Sequence, residues 1–218
     1  MLTNNNITAL KAIILTTDNA VLTKEEEELF REYRPLGFIL FKRHCISKSQ
    51  IKELVASLRE VVGVKNIPIL IDQEGGIVSR LKEPEWKEYP KACTYGELAK
   101  HSLYAARAAA YSNYQALAKD LIDLGVTVNC APVLDVPSDK CHEFLLSRTY
   151  GTDADTVAKI GLSVCEAMLS RGVTPIIKHI PGHGRAEVDS HFSLPVTDAD
   201  MDTLDNSDFA SFRDIAQS

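Results

Sequence analysis

The chain has 218 residues, of which 45% are hydrophobic and 25% charged, and a formal net charge of −6. That length and apolar content suffice to bury one sizeable core, while the acidic balance and the absence of any Lys/Arg-rich block argue against a nucleic-acid footprint or an anionic membrane surface as partner. No apolar run approaches the ~20 residues that span a bilayer, and Met1 to Ile7 lacks the basic start of a signal peptide, so the chain is expected to stay in the cytoplasm and to meet a small or neutral partner.

In chain order, short β-branched runs alternate with amphipathic segments. Ala12 to Thr16 reads as a strand, and Glu25 to Glu28 opens a helix with a solvated acidic face that complements the helix dipole. Phe38 to Phe41 is a second strand. Lys48 to Val62 is a helix with Ile51, Leu54, Val55, Leu58 and Val61 on one stripe. Ile67 to Ile71 is a third strand, followed by a polar stretch, Leu81 to Lys91, in which Trp86 and Tyr89 are expected to pack the loop. The Ala-rich segment Tyr104 to Leu124 is helical and Gly125 closes it. Thr127 to Pro132 is a fourth strand, Thr156 to Arg171 a helix stopped by Gly172, and Val173 to Ile177 a fifth strand. A last helix spans about Asp198 to Ala216, with no Gly or Pro stop before Ser218.

The strands are nearly continuous in apolar residues, as parallel strands buried on both faces are. Their alternation with helices implies right-handed βαβ units on a parallel sheet within one domain, residues 1–218. Five strands suit a doubly wound sheet, whereas a (β/α)₈ barrel of ~250 residues needs three more. The cysteines Cys45, Cys93, Cys130, Cys141 and Cys165 form an odd set without a C-x-x-C pair, which points to reduced thiols acting as small buried hydrophobes.

Chemistry concentrates in Lys178-His179-Ile180-Pro181-Gly182-His183-Gly184, with Asp189-Ser190-His191 soon after it. Three histidines, a lysine and an aspartate in a Pro/Gly-rich loop at the C-terminal end of a strand make poor core and a good active site. A second group is Asp72-Gln73-Glu74-Gly75-Gly76, with Arg80 after it: the paired glycines permit a tight turn that leaves Asp72 and Arg80 on the same rim, an arrangement suited to a sugar or a carboxylate, or to a structural ion pair. The third is Ala131-Pro132-Val133-Leu134-Asp135 with Ser147-Arg148-Thr149-Tyr150-Gly151. Asp135 either organises its loop or joins the site, and Arg148 offers a planar five-donor group for an oxygen-rich ligand. A rival reading makes His179, His183, Asp189 and His191 ligands of a divalent metal, although Pro181, Gly182 and Gly184 forbid a regular helix at the His-x₃-His spacing. His44, His101 and His142 have no companion residues in the sequence that suggest a role.

Together with Gly37-Phe38-Ile39-Leu40-Phe41, these motifs resemble glycoside hydrolase family 3, and within it the bacterial β-N-acetylhexosaminidases that recycle cell wall. The resemblance runs in order from about residue 12 to the end, and the Lys-His-x-Pro-Gly-His-Gly and Asp-Ser-His pair is its most specific part.

It implies a (β/α)₈ barrel, here about its first five β/α units, that removes terminal N-acetylglucosamine from muropeptides with retention and without a cofactor. Retaining hydrolysis sets a nucleophile ~5 Å from an acid/base. By the resemblance, His191 is that acid/base, oriented by Asp189, while Asp72, Arg80, Arg148, Lys178 and His179 hold the sugar and His183 shapes the loop. Histidine titrates near neutrality, and an adjacent carboxylate fixes its tautomer. The family's nucleophile is an aspartate on a later strand. Asp198, Asp200, Asp202, Asp205, Asp208 and Asp214 lie instead in the last helical region, where they are expected to cap and solvate a helix. The chain is therefore expected to be a truncated or split form, inactive alone or persisting as a sugar-binding remnant.

Overall fold

Five parallel strands lie side by side in the order in which the chain makes them: β1 Lys11–Leu15, β2 Pro35–Leu40, β3 Ile69–Ile71, β4 Val128–Asn129 and β5 Thr174–Pro175. This computed structural model describes residues 10–217, so the reading of Met1 to Ile7 lies outside the described residues. The pairings Leu15↔Phe38, Leu40↔Ile71, Ile71↔Asn129 and Asn129↔Pro175 carry the sheet across without a switch in direction. A doubly wound sheet reverses its strand order; a barrel does not. The order is thus that of a (β/α) barrel, represented by five strands among the described residues. The register also brings the C-terminal ends of β3, β4 and β5 to one rim.

Between the strands run α1 Lys24–Tyr33, α2 Lys48–Val62, α3 Ala92–Ala99, α4 Leu103–Asp123, α5 Glu143–Leu146 and α6 Ala154–Leu169; α7 Met201–Asn206 and α8 Ala210–Ala216 follow β5. Their starts are written in the sequence. Thr23 and Glu26 form a reciprocal capping box on α1, and Ser47, Ser102 and Asp153 accept the free backbone N–H groups of α2, α4 and α6. The stripe Ile51, Leu54, Val55, Leu58 and Val61 of α2 is buried, as its spacing dictates. Tyr114, Leu117 and Leu121 of α4 enter the same core. Trp86 and Tyr89 pack the loop after β3, and the Tyr89 hydroxyl donates to Asp120 at 2.7 Å. No helix among the described residues is long and apolar enough to cross a membrane.

Three expectations need correction. The strands are shorter than the apolar runs, because the chain leaves ladder geometry early; isolated bonds such as Ile176 N–H to Asn129 C=O and the Val133–Lys178 bridge continue the β4–β5 contact beyond the formal strands. The last helix is two short ones, interrupted at Ser207, Asp208 and Phe209. Asp208 turns inward, 2% exposed, to accept from Arg185 Nε at 2.6 Å, so it is a buried ion-pair partner and not a solvated cap. The cysteines are all free, but only Cys165 is fully buried.

His44 also has partners that the sequence hides. Its fully buried ring accepts the Phe41 backbone N–H at Nδ1, 2.8 Å, so Nε2 carries the proton and donates to the Thr17 carbonyl at 2.8 Å. The ring thereby ties the loop after β2 to the loop after β1. Burial lowers its pKa more than the Thr17 hydrogen bond raises it. Being held neutral, His44 contributes stability that is full above the unfolded pKa of about 6.5 and is lost as pH falls below it. His44→Ala, which leaves the Phe41 N–H without its acceptor, is expected to cost about 1–3 kcal/mol and to flatten this weakly acid limb of the stability profile; urea denaturation as a function of pH measures both.

Candidate active site

The rim at the C-terminal ends of β3, β4 and β5 is held together by side chains that bond to backbone. Asn129, at the end of β4, accepts the Gln73 N–H at 3.0 Å and donates to the Gln73 carbonyl at 2.9 Å, fixing the turn after β3. The Gln73 amide oxygen in turn accepts the backbone N–H groups of Arg80 and Leu81, at 2.8 and 3.0 Å. That loop closure is what brings Arg80 back to Asp72. The turn requires glycine: Gly75 has φ +97°, and a Cβ there would sit 2.4 Å from the Pro90 carbonyl oxygen.

On this rim Asp72 accepts from Arg80 Nη2 at 3.1 Å and from Lys178 Nζ at 3.0 Å. Burial alone would raise its pKa, but Lys178 and then Arg80 outweigh it and hold the carboxyl below the ordinary range. Glu74 is more deeply set, 6% exposed. It accepts from Arg148 Nε and Nη2, both at 2.8 Å, and from Lys178 Nζ. Two buried phenols support it: Tyr114 donates to the Glu74 carbonyl at 2.7 Å, which leaves Tyr150 as the donor in the 2.9 Å bond between the two hydroxyls.

Asp135, fully buried after β4, organises the third side. Its carboxylate accepts the backbone N–H of His179 at 3.2 Å, that of His183 at 2.8 Å, and the His179 ring at Nδ1, 2.6 Å. With Nδ1 protonated, His179 presents a bare Nε2 to Arg148 Nη2 at 3.3 Å. Gly184 lets the loop lie against the preceding strand end, since a Cβ there would fall 1.9 Å from the Val136 carbonyl oxygen.

His191 stands outermost, with its side chain 73% exposed. Its Nδ1 donates to Asp189 at 2.6 Å, and its own backbone N–H donates to the same oxygen at 2.9 Å. These two bonds, backbone first, lower the Asp189 pKa. They leave Nε2 as the atom free to exchange a proton. Phe144 of α5 meets the His191 ring edge-on, with centroids 6.4 Å apart, and underlies the Arg148 guanidinium at 4.7 Å.

All seven residues singled out from the sequence line one cavity of about 500 Å³: Asp72, Arg80, Arg148 and Lys178 form its floor with His179, and Asp189 and His191 its edge. That volume suits a small-molecule ligand. His183 lines it too, holding its loop to Asp135 through the backbone. Glu74 and Phe144 also line it and had no role assigned from sequence. The signal for Glu74 was present, a carboxylate beside the turn glycines, but its partner Arg148 lies 74 positions away. Phe144 carried no signal. As for a metal centre, no group of three or more His, Cys, Asp or Glu among the described residues is placed to hold an ion.

Asp135→Ala would leave three N–H groups without their acceptor, and is expected to cost at least about 2 kcal/mol and to release both loop histidines; denaturation and the imidazole NMR signals report this. For Asp72, whose folded pKa is depressed, stability is present above the unfolded value of about 3.9 and is lost as pH falls through the lower folded one. Asp72→Asn is expected to remove that part of the acid limb, as read by denaturation across acidic pH.

Comparison with known proteins identifies the family. Residues 4–218 match the family model for the glycosyl hydrolase family 3 N-terminal domain. A β-hexosaminidase A of Pseudoalteromonas piscicida is 32% identical over 200 residues, 89% of this chain and 33% of that protein. A β-hexosaminidase of Aromatoleum aromaticum is 31% identical over 204 residues, 94% of this chain and 57% of that one. The crystal structure of NagZ from Neisseria gonorrhoeae in complex with N-trifluoroacetyl-D-glucosamine superimposes with a TM-score of 0.89 at 28% identity, over 96% of this chain and 61% of that one. The chain thus spans between a third and three fifths of the length of these relatives.

Proposed function

The chain belongs to glycoside hydrolase family 3, and from that premise we propose that it forms the sugar-gripping and acid/base part of a retaining β-N-acetylglucosaminidase acting on muropeptides in cytoplasmic cell-wall recycling. The observation that carries the reading is the convergence of His191 with Asp72, Arg80, Arg148, Lys178 and His179 on one cavity. Support for the sugar comes from relatives named β-hexosaminidase and from the glucosamine derivative bound to the gonococcal NagZ.

In this mechanism a terminal sugar sits on the floor. Lys178, Arg80 and Arg148 donate to its oxygens, and Asp72 accepts from its hydroxyls. His191 Nε2–H protonates the departing glycosidic oxygen, and Asp189 stabilises the imidazolium before transfer. The same Nε2, now bare, takes a proton from the water that completes hydrolysis. Phe144 limits where the ring can swing.

The covalent step needs a carboxylate, which the family resemblance gives to an aspartate on a later strand. The three lining the cavity among the described residues are each committed: Asp72 to Lys178 and Arg80, Glu74 to Arg148 and Lys178, Asp189 to His191. None of the three is assigned the covalent role.

Titration calorimetry tests the grip. The chain is expected to bind N-acetylglucosamine saturably, Arg148→Ala to weaken it by about ten- to a hundredfold through lost charged hydrogen bonds, and His191→Ala to leave it within a few-fold. The chain alone is expected to release no p-nitrophenol from the p-nitrophenyl N-acetylglucosaminide. Absence of binding in the unmutated chain would overturn the sugar assignment, and brisk release would show that a nucleophile lies within it.

A further inference from the structure

Glu74 is the one lining carboxylate with no part in gripping a sugar or moving a proton, and it is the most deeply buried of the ionic groups on the cavity floor. Its side chain is 6% exposed, against 7% for Arg148, 13% for Lys178 and 19% for Asp72. It touches two of the three floor cations, taking Arg148 in a two-pronged pair and Lys178 at the same Oε1 that receives Arg148 Nη2. Asp72 then faces Lys178 and Arg80, and Asp135 faces a His179 whose hydrogen bonds make it neutral. The cavity lining thus carries three cations, Arg80, Arg148 and Lys178, and three carboxylates, Asp72, Glu74 and Asp189, so that it is rich in donors with its positive charge matched.

We infer that Glu74 is a specificity-determining residue, one that neutralises Arg148 and Lys178 from below so that the cavity accepts an uncharged sugar and rejects sugar acids and phosphate. The reason is electrostatic. Arg and Lys side by side are what a carboxylate or phosphate ligand seeks, and a donor-lined pocket without a compensating anion would collect such ligands ahead of a sugar. A buried counter-charge removes that preference yet leaves N–H donors on both cations for hydroxyl and amide oxygens. Among the described residues nothing accepts a hydrogen bond from Arg148 Nη1, so the guanidinium keeps donors for a ligand after Glu74 has taken Nε and Nη2. The role runs through the two cations, with no contact to substrate required. It rests on the cavity being the ligand site of the proposed function.

Calorimetry on the full chain, with N-acetylglucosamine, D-glucuronate and inorganic phosphate as probes, tests this. Unmutated protein is expected to bind the neutral sugar at least about tenfold better than either anion. Its sugar affinity should barely change between about 0.05 and 0.5 M salt. Glu74→Gln is expected to gain about tenfold in affinity for glucuronate or phosphate, with a gain that salt abolishes. Glu74→Asp, which keeps the charge on a shorter stem, should weaken the sugar without gaining the anions. A purely structural Glu74 would weaken sugar binding in both variants and add anion binding in neither, and that result overturns the inference. So does glucuronate binding to the unmutated chain as well as the neutral sugar, a measurement that needs no variant to fold. Anion gain in Glu74→Gln beside an unmutated chain that ignores N-acetylglucosamine would sustain the inference and sink the sugar assignment instead.

Discussion

The carboxylate of Asp135 is the constraint on which the site depends. It sits with no solvent exposure in the segment after β4 and spends its acceptor capacity on the loop after β5, on two backbone N–H groups and one ring N–H. A buried carboxylate so placed is tolerable because three donors meet its two oxygens, two at Oδ1 and one at Oδ2. The loop, for its part, has no helix or ladder to satisfy those N–H groups and takes its shape from the carboxylate. From this one residue follow the tautomer of His179, the 3.3 Å approach of Arg148 to its bare nitrogen, and the course of the chain towards His191.

Around that anchor the groups sort by depth. Glu74, Arg148, Lys178 and Asp72 form a nearly dry ionic floor in which every charge meets an opposite one, whereas His191 is carried on an open loop at the edge. The division is physically apt. Under the proposed function, recognition by charged donors uses the fixed floor, and proton transfer uses the accessible imidazole at the edge. The close seat of Gly184 against Val136 fixes the root of the loop that carries His191 outward.

Much of this was legible beforehand, and what was not has a common cause. Helix α2 was read to the residue from its apolar stripe, and the structure adds Ser47 and Gly63 as its local caps. The site loops were legible because Pro, Gly and titratable side chains rarely crowd together unless chemistry requires it. Depth and partnership were not legible. Glu74 gains its meaning from an arginine far along the chain, Asp208 from Arg185, and His44 from a carbonyl in the preceding loop. From periodicity alone, choosing between a doubly wound sheet and a barrel likewise needed strand order, which depends on which hydrogen-bond ladders form; the barrel was legible only through the family resemblance. Local periodicity reports faces; it does not report neighbours.

The outermost strand has a practical corollary. Ile13 and Ile14 of β1 are 45% and 38% exposed, and among the described residues no further strand hydrogen-bonds along that flank. Open backbone groups flanked by β-branched hydrocarbon form a template for strand addition from other molecules. Concentration is accordingly the variable to control when the purified polypeptide is handled.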